Sequence, residues 1–312
     1  MKRIRAYEEG IAIRYSQNRM RCPTHLSIGQ EAVPAALGEI LRLDDLAVST
    51  HRGHAHYLGK GGSGPRMIAE LYGKAAGCSG GRGGSMHLVD RAVGFKGSAA
   101  IVGNTIPVGV GIALALSLLG GDRISVVFLG EAAAEEGVFY ESVNFAALRH
   151  LPVLFVCENN LYSVYSPLAV RQPAGRALHE MVAGMGIRSI AADGNLVEEC
   201  LAVLSAEVGR LRAGGGPVFV ELATYRWREH CGPNFDNDLG YRTEEEFQAW
   251  KKRDPVALYE SMLRGDGVID DAGLSAMGRE IATEVDAAFS FAEAAPFPDP
   301  AEAFAGIFAG PE

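Results

Sequence analysis

Two stretches decide the fold: Ile124-Ser-Val-Val-Phe-Leu129-Gly130-Glu131-Ala132-Ala133, and Pro152-Val-Leu-Phe-Val-Cys157-Glu158-Asn159-Asn160. Each opens with a short, nearly continuous run of β-branched and aromatic residues. That is how a strand buried on both faces of a parallel sheet reads. Between them, over 135–150, Val138, Glu141, Ser142, Phe145 and Arg149 fall into helical rows. Strand, helix and strand within about 30 residues make a βαβ unit. A third run, Pro217 to Leu222, follows a helical stretch over 195–211. The alternation predicts an α/β fold: an open, mainly parallel sheet covered by helices on both faces.

Outward from this unit the chain changes character. Residues 59–97 hold Gly-Lys-Gly-Gly-Ser-Gly and Ser-Gly-Gly-Arg-Gly-Gly-Ser, a composition that predicts ordered functional loop rather than regular elements. Beyond Thr243 three helical stretches are expected, over 244–253, 256–263 and 272–293, before a Pro-rich tail. With no internal repeat, residues 1–312 are read as one domain carrying a C-terminal helical extension over about 244–312.

A net charge of −9 supplies no basic surplus for phosphate neutralisation, so a nucleic-acid partner is excluded. The longest apolar run, around Ile112 to Leu119, is too short for a membrane span. The start, Met1-Lys-Arg-Ile-Arg, lacks a signal core, and the five cysteines form no CxxC pair, which points to a cytoplasmic protein without disulfides or structural zinc.

In an open α/β sheet ligands bind beyond the carboxyl ends of the strands. Glu131 and Asn160 each follow such an end and are expected to converge there. A carboxylate and an amide carbonyl suit a hard divalent cation such as Mg²⁺. A helix starting just after Glu131 would offer its amides to a phosphate. Either motif alone is ordinary turn chemistry; flanking one βαβ unit, they point to a site.

The stretch Gly130-Glu-Ala-Ala … Glu158-Asn-Asn-Leu-Tyr resembles the thiamine-diphosphate motif, GDG followed by NN. The chain as a whole is similar to the alpha subunits of pyruvate, branched-chain 2-oxo acid and acetoin dehydrogenases. Further matching segments are His25-Leu-Ser-Ile-Gly-Gln-Glu-Ala, Thr50-His-Arg-Gly-His, Gly80-Gly-Arg-Gly-Gly-Ser-Met-His, Thr224-Tyr-Arg-Trp-Arg-Glu-His and Gly240-Tyr-Arg-Thr. The resemblance implies that Glu131, Asn160 and the Tyr162 carbonyl hold Mg²⁺. It implies that Arg52 and Arg226 take the diphosphate, with His51 beside Arg52, Gly130, Ala132 and Ala133 along it, and Ala100, Ile101 and Val102 along the rings. His25 and His230 would act on the substrate. Without the resemblance, the arginines read as surface cations and His25 as a half-buried structural histidine. His51, His54 and His56 lack Cys or carboxylate partners and do not read as zinc ligands. Gly59, Gly61 and Gly64 fit GxGxxG but follow no strand, so they are not a dinucleotide loop.

Two positions depart from the family. Glu131 stands where Asp is usual, and Ala132 where the second Gly is usual, which predicts weakened metal and cofactor binding. The resemblance also implies a missing half: a beta subunit supplying the glutamate that activates the cofactor, in an α2β2 heterotetramer. The expected reaction is decarboxylation of a small 2-oxo acid with transfer of the acyl unit to a lipoyl acyltransferase partner. A carboligase with no lipoyl partner, and a degenerate non-catalytic subunit, are the alternatives.

Overall fold

The computed structural model describes residues 1–304; residues 305–312, the end of the expected helical extension, lie outside it. Eight strands are formed: β1 (Leu46–Ser49), β2 (Phe95–Ser98), β3 (Ser125–Gly130), β4 (Val153–Asn159), β5 (Tyr162–Ser163), β6 (Ser166–Pro167), β7 (Arg188–Asp193) and β8 (Val218–Ala223). Six make one sheet in the order β2-β1-β3-β4-β8-β7, and every pairing in it is parallel. β5 and β6 form a separate small antiparallel hairpin.

The period-two alternation of a strand sends neighbouring residues to opposite faces. Val126, Phe128, Leu154, Val156, Val218 and Val220 enter one buried cluster with Tyr7, Ile11, Leu26 and Leu204. Val127, Leu129, Val153, Phe155 and Phe219 enter the other, with Ile106, Val110, Phe139 and Val182. Helices cover both faces, as the sequence predicts. The helix Thr105–Leu119 lies close on the sheet because Gly109 permits it: a Cβ there would sit 2.2 Å from a methyl of Val127.

The helix expected over 135–150 forms as Gly137–Leu148; its inward row is Phe139, Ser142, Val143 and Ala146, and Glu141, Phe145 and Arg149 are exposed. One expectation needs correction. The glycine-rich region is not free of regular structure: it contains the helix Gly64–Leu71, with Ser63 as its cap and Pro65 in the first turn, and strand β2. The rest of that loop is ordered by Glu70, whose buried carboxylate accepts hydrogen bonds from the amides of Ser79 (2.7 Å), Gly81 (2.9 Å), Gly83 (2.6 Å) and Gly84 (3.3 Å). The three helices expected beyond Thr243 form, and the last, Asp271–Ala294, packs back on the first helix. Glu284 accepts from Arg3 and from the Tyr7 hydroxyl, and Val285 and Phe289 close against Gly10 of the first helix.

Among the described residues no helix is long and apolar enough to cross a membrane.

Candidate active site

All six sheet strands run the same way, so their carboxyl ends share one edge. Thr50, His51 and Arg52 follow β1; Gly130, Glu131, Ala132 and Ala133 follow β3; Glu158 and Asn160 end β4. Together with His25, Gln30, His56, Ala100, Val102, Tyr162, Val164 and His230 they surround one cleft.

His25 and His230 are brought together by backbone. The Gly232 amide donates to the Thr24 carbonyl (2.8 Å) and the Trp227 amide to that of Ile28 (3.0 Å). Gly29 allows the approach: at φ +100°, a Cβ would lie 2.4 Å from the Tyr225 carbonyl. The rings of His25, His51 and His230 therefore form a cluster, with centroids 4.5, 5.0 and 5.3 Å apart. Burial, then Arg52, hold all three imidazoles neutral, at about 2 for His25 and about 3 for His51 and His230. Arg52 is 6% exposed and donates to the carbonyls of Leu26 (2.5 Å) and His230 (3.2 Å). Burial and then Arg226 lower its own value to about 10, which leaves it charged at neutral pH.

Across the cleft, Glu131 is 2% exposed. Burial pushes its carboxyl upward, and Arg171, donating at 2.5 Å, pulls it partly back. Arg171 also bonds Glu135. Pleating turns Glu158 and Asn160 toward the cleft, while Asn159 points away to Glu221 (2.7 Å). The Asn160 amide donates to Gln30 (3.2 Å), and its oxygen accepts from the Tyr162 amide (3.3 Å). Glu158 accepts from His56 Nε2 (3.0 Å), whose Nδ1 in turn accepts a hydrogen bond from the Ser49 hydroxyl (2.7 Å). The turn beyond is strained: Leu161 has φ 74° and the β-branched Val164 φ 55°.

Two expected residues do not line the cleft. Ile101 is 70% exposed on the loop it was expected to turn inward. Arg226, 1% exposed, has its guanidinium occupied by the carbonyls of Val164 and Arg228 (both 2.7 Å) and the Tyr241 hydroxyl (3.0 Å). It therefore braces the strained turn. No α-helix begins directly after Glu131 either; a 3₁₀ segment, Glu131–Glu135, intervenes, and the α-helix starts at Gly137. His54 is fully engaged by Glu8 and Ser85, away from the other histidines of its motif.

Arg171, Gln30, Glu158 and His56 were missed. Glu158 carried a signal, a carboxylate at the end of an apolar strand beside two asparagines. Arg171 carried none.

Compared with known families, residues 1–301 match the dehydrogenase E1 component family. A pyruvate dehydrogenase E1 component subunit alpha of Rickettsia felis is 33% identical over 98% of this chain and 92% of its own. That of Zymomonas mobilis is 36% identical over 99% and 87%. The chloroplastic subunit alpha-3 of Arabidopsis thaliana is 33% identical over 99% and 72%.

Proposed function

The chain belongs to the dehydrogenase E1 component family, and from that membership we propose that it is the alpha subunit of a heteromeric, thiamine-diphosphate-dependent enzyme that decarboxylates a 2-oxo acid. The relatives favour this reading over a carboligase or a non-catalytic subunit. The observation that carries it is the meeting of Glu131, Asn160, Arg52, His25 and His230 around one cleft.

The residues present fit the cofactor. A Cβ on Gly130 would meet nothing within 4 Å, so space is open where a diphosphate would lie. Two buried polar atoms, Glu158 Oε1 and His25 Nδ1, have no protein partner. Leaving such atoms unpaired costs about 1–3 kcal/mol each, which a polar ligand would relieve. Arg52, charged and paired only with carbonyls, suits a diphosphate. Glu131, Asn160 and the Tyr162 carbonyl form the all-oxygen set that Mg²⁺ requires.

Bound thiamine diphosphate would supply the nucleophilic carbon and electron sink that decarboxylation needs. The chain's own part is positioning and proton control. The neutral imidazoles each offer one donor and one acceptor nitrogen, so they can hold a substrate carboxylate without adding charge.

A second subunit fits the surface. The helix Thr105–Leu119 leaves Val108, Leu118 and Leu119 exposed, and the neighbouring helix Gly137–Leu148 leaves Tyr140, Phe145 and Leu148 exposed. Such an apolar face marks an interface. The proposed occupant is a beta subunit, in an α2β2 assembly whose cofactor sites lie between the chains and receive the activating glutamate from beta. A lipoyl acyltransferase would receive the acyl unit. Five unpaired thiols fit a reducing, cytoplasmic setting.

The test is co-expression with the beta subunit of the same organism and assay of CO₂ release from a panel of 2-oxo acids, with thiamine diphosphate, Mg²⁺ and an electron acceptor. Activity in the pair and not in the alpha chain alone is expected. Absence of activity in both, with every acid, would overturn the reading.

A further inference from the structure

We infer that His25, His51 and His230 form a binding site for a borderline divalent transition metal such as Zn²⁺ or Co²⁺, separate from the oxygen donors at Glu131 and Asn160. One ring nitrogen from each residue lies within 4.8 Å of the other two. In a tetrahedral site with metal–nitrogen bonds of about 2.0–2.1 Å, ligand nitrogens stand about 3.3 Å apart. Metal binding therefore requires the three rings to close on one another by up to about 1.5 Å. All three rings face the cleft, and among the described residues no other group of three His, Cys, Asp or Glu side chains meets the same criterion.

A second observation points to a ligand here. His25 is 6% exposed, and its Nδ1 has no hydrogen-bond partner. A buried nitrogen left unpaired is a cost that a metal removes. Nitrogen ligands suit Zn²⁺ and Co²⁺, whereas Mg²⁺ prefers oxygen, so the two ends of the cleft select different ions. His51 is decisive, because its imidazole completes the set of three. Three protein nitrogens leave a fourth position for water or a small carboxylate. An anionic fourth ligand would also offset the nearby charge of Arg52, which by itself disfavours a cation.

The probe is Co²⁺ alone, titrated into the full chain without thiamine diphosphate, because its visible spectrum reports ligand type and geometry. One ion per chain with a four-coordinate, nitrogen-ligated spectrum is expected. His51→Ala and His230→Gln should each weaken binding about 100-fold or more, since loss of a mere outer-shell partner already costs about 10–100-fold. His51→Cys should restore binding and add a thiolate band, which a purely structural role for His51 would not produce. Each variant is checked for a wild-type melting transition. No stoichiometric binding, binding unchanged in both His51→Ala and His230→Gln, or a thiolate band in the wild type would overturn the inference. The readout is the metal alone, so its failure is distinct from failure of the thiamine-diphosphate reading.

Discussion

The two ends of the cleft handle buried charge in opposite ways. At the Glu131 end the chain neutralises itself: Arg171 is bonded to Glu131 at 2.5 Å and to Glu135, so a built-in cation stands beside the carboxylate proposed to hold Mg²⁺. At the histidine end no carboxylate bonds the cation; Glu8 and Glu158 act on Arg52 only at longer range. Arg52 meets only carbonyl oxygens, and three imidazoles are kept neutral around it. Burial is severe at both ends, so burial does not explain the difference. The first end must give up a partner to take a ligand, and the second has only to receive one. If Glu131 holds Mg²⁺ as proposed, that binding competes with an internal ion pair, whose energy is subtracted from metal affinity.

Removing the Glu131 carboxylate should have the largest effect. Glu131→Ala deletes the only side-chain charge proposed for Mg²⁺ and leaves Arg171 paired with Glu135 alone. Magnesium-dependent thiamine-diphosphate affinity, measured by calorimetry on the alpha–beta pair, should fall about 100-fold or more, roughly 3 kcal/mol. Arg171→Ala should do the reverse for the metal. Freed of its guanidinium, Glu131 should bind Mg²⁺ up to about tenfold more tightly. The metal-free protein should meanwhile lose about 1–3 kcal/mol of stability, because a buried carboxylate is left without its partner. Unchanged Mg²⁺ affinity in Arg171→Ala would show that the pair is not in competition with the ion.

Smaller still is the cost of the two departures from the family pattern. Glu131→Asp with Ala132→Gly should tighten cofactor binding a few-fold; equal or weaker binding would show that the longer carboxylate is accommodated without loss.

At the histidine end the test is pH. The three imidazoles sit at about 2 to 3 when folded against an ordinary 6.5, so the unfolded chain binds protons first on acidification. Their contribution to stability is complete above about pH 6.5 and is lost as pH falls toward 3. The melting temperature should decline through that window, and His25→Gln should make the decline shallower. A parallel decline in wild type and variant would contradict the neutral-imidazole description.

How much of this was legible in the sequence follows from where each signal resides. β3, β4 and β8 could be read because central parallel strands are apolar on both faces. β2 (Phe-Lys-Gly-Ser) and β7 (Arg-Ser-Ile-Ala-Ala-Asp) lie at the sheet edges and are partly exposed, so their composition is mixed; β1 is only four residues long. The glycine-rich loop misled because its order comes from Glu70, a carboxylate whose local neighbours say nothing of four amides 9 to 14 positions ahead. Glu131 and Asn160 were reachable as residues next to strand ends, but Arg52, His25 and His230 needed the resemblance, since β1 is too short to be read and long-range backbone pairing brings the two histidines together. Arg226 was likewise placed at the diphosphate by the resemblance alone; its bonds to Val164 and Tyr241, far off in sequence, are what make its guanidinium a brace in this structure. Arg171 could not be foreseen, because its role depends on how one short helical turn folds back onto Glu131.

The most direct test of the cleft as a cofactor site is calorimetric titration of thiamine diphosphate into the assembled alpha–beta protein, with and without Mg²⁺, beside Asn160→Ala. The account predicts one site per alpha chain, dependent on Mg²⁺ and weakened at least about tenfold by Asn160→Ala. Binding that is absent, indifferent to Mg²⁺, or equal in the variant would contradict it.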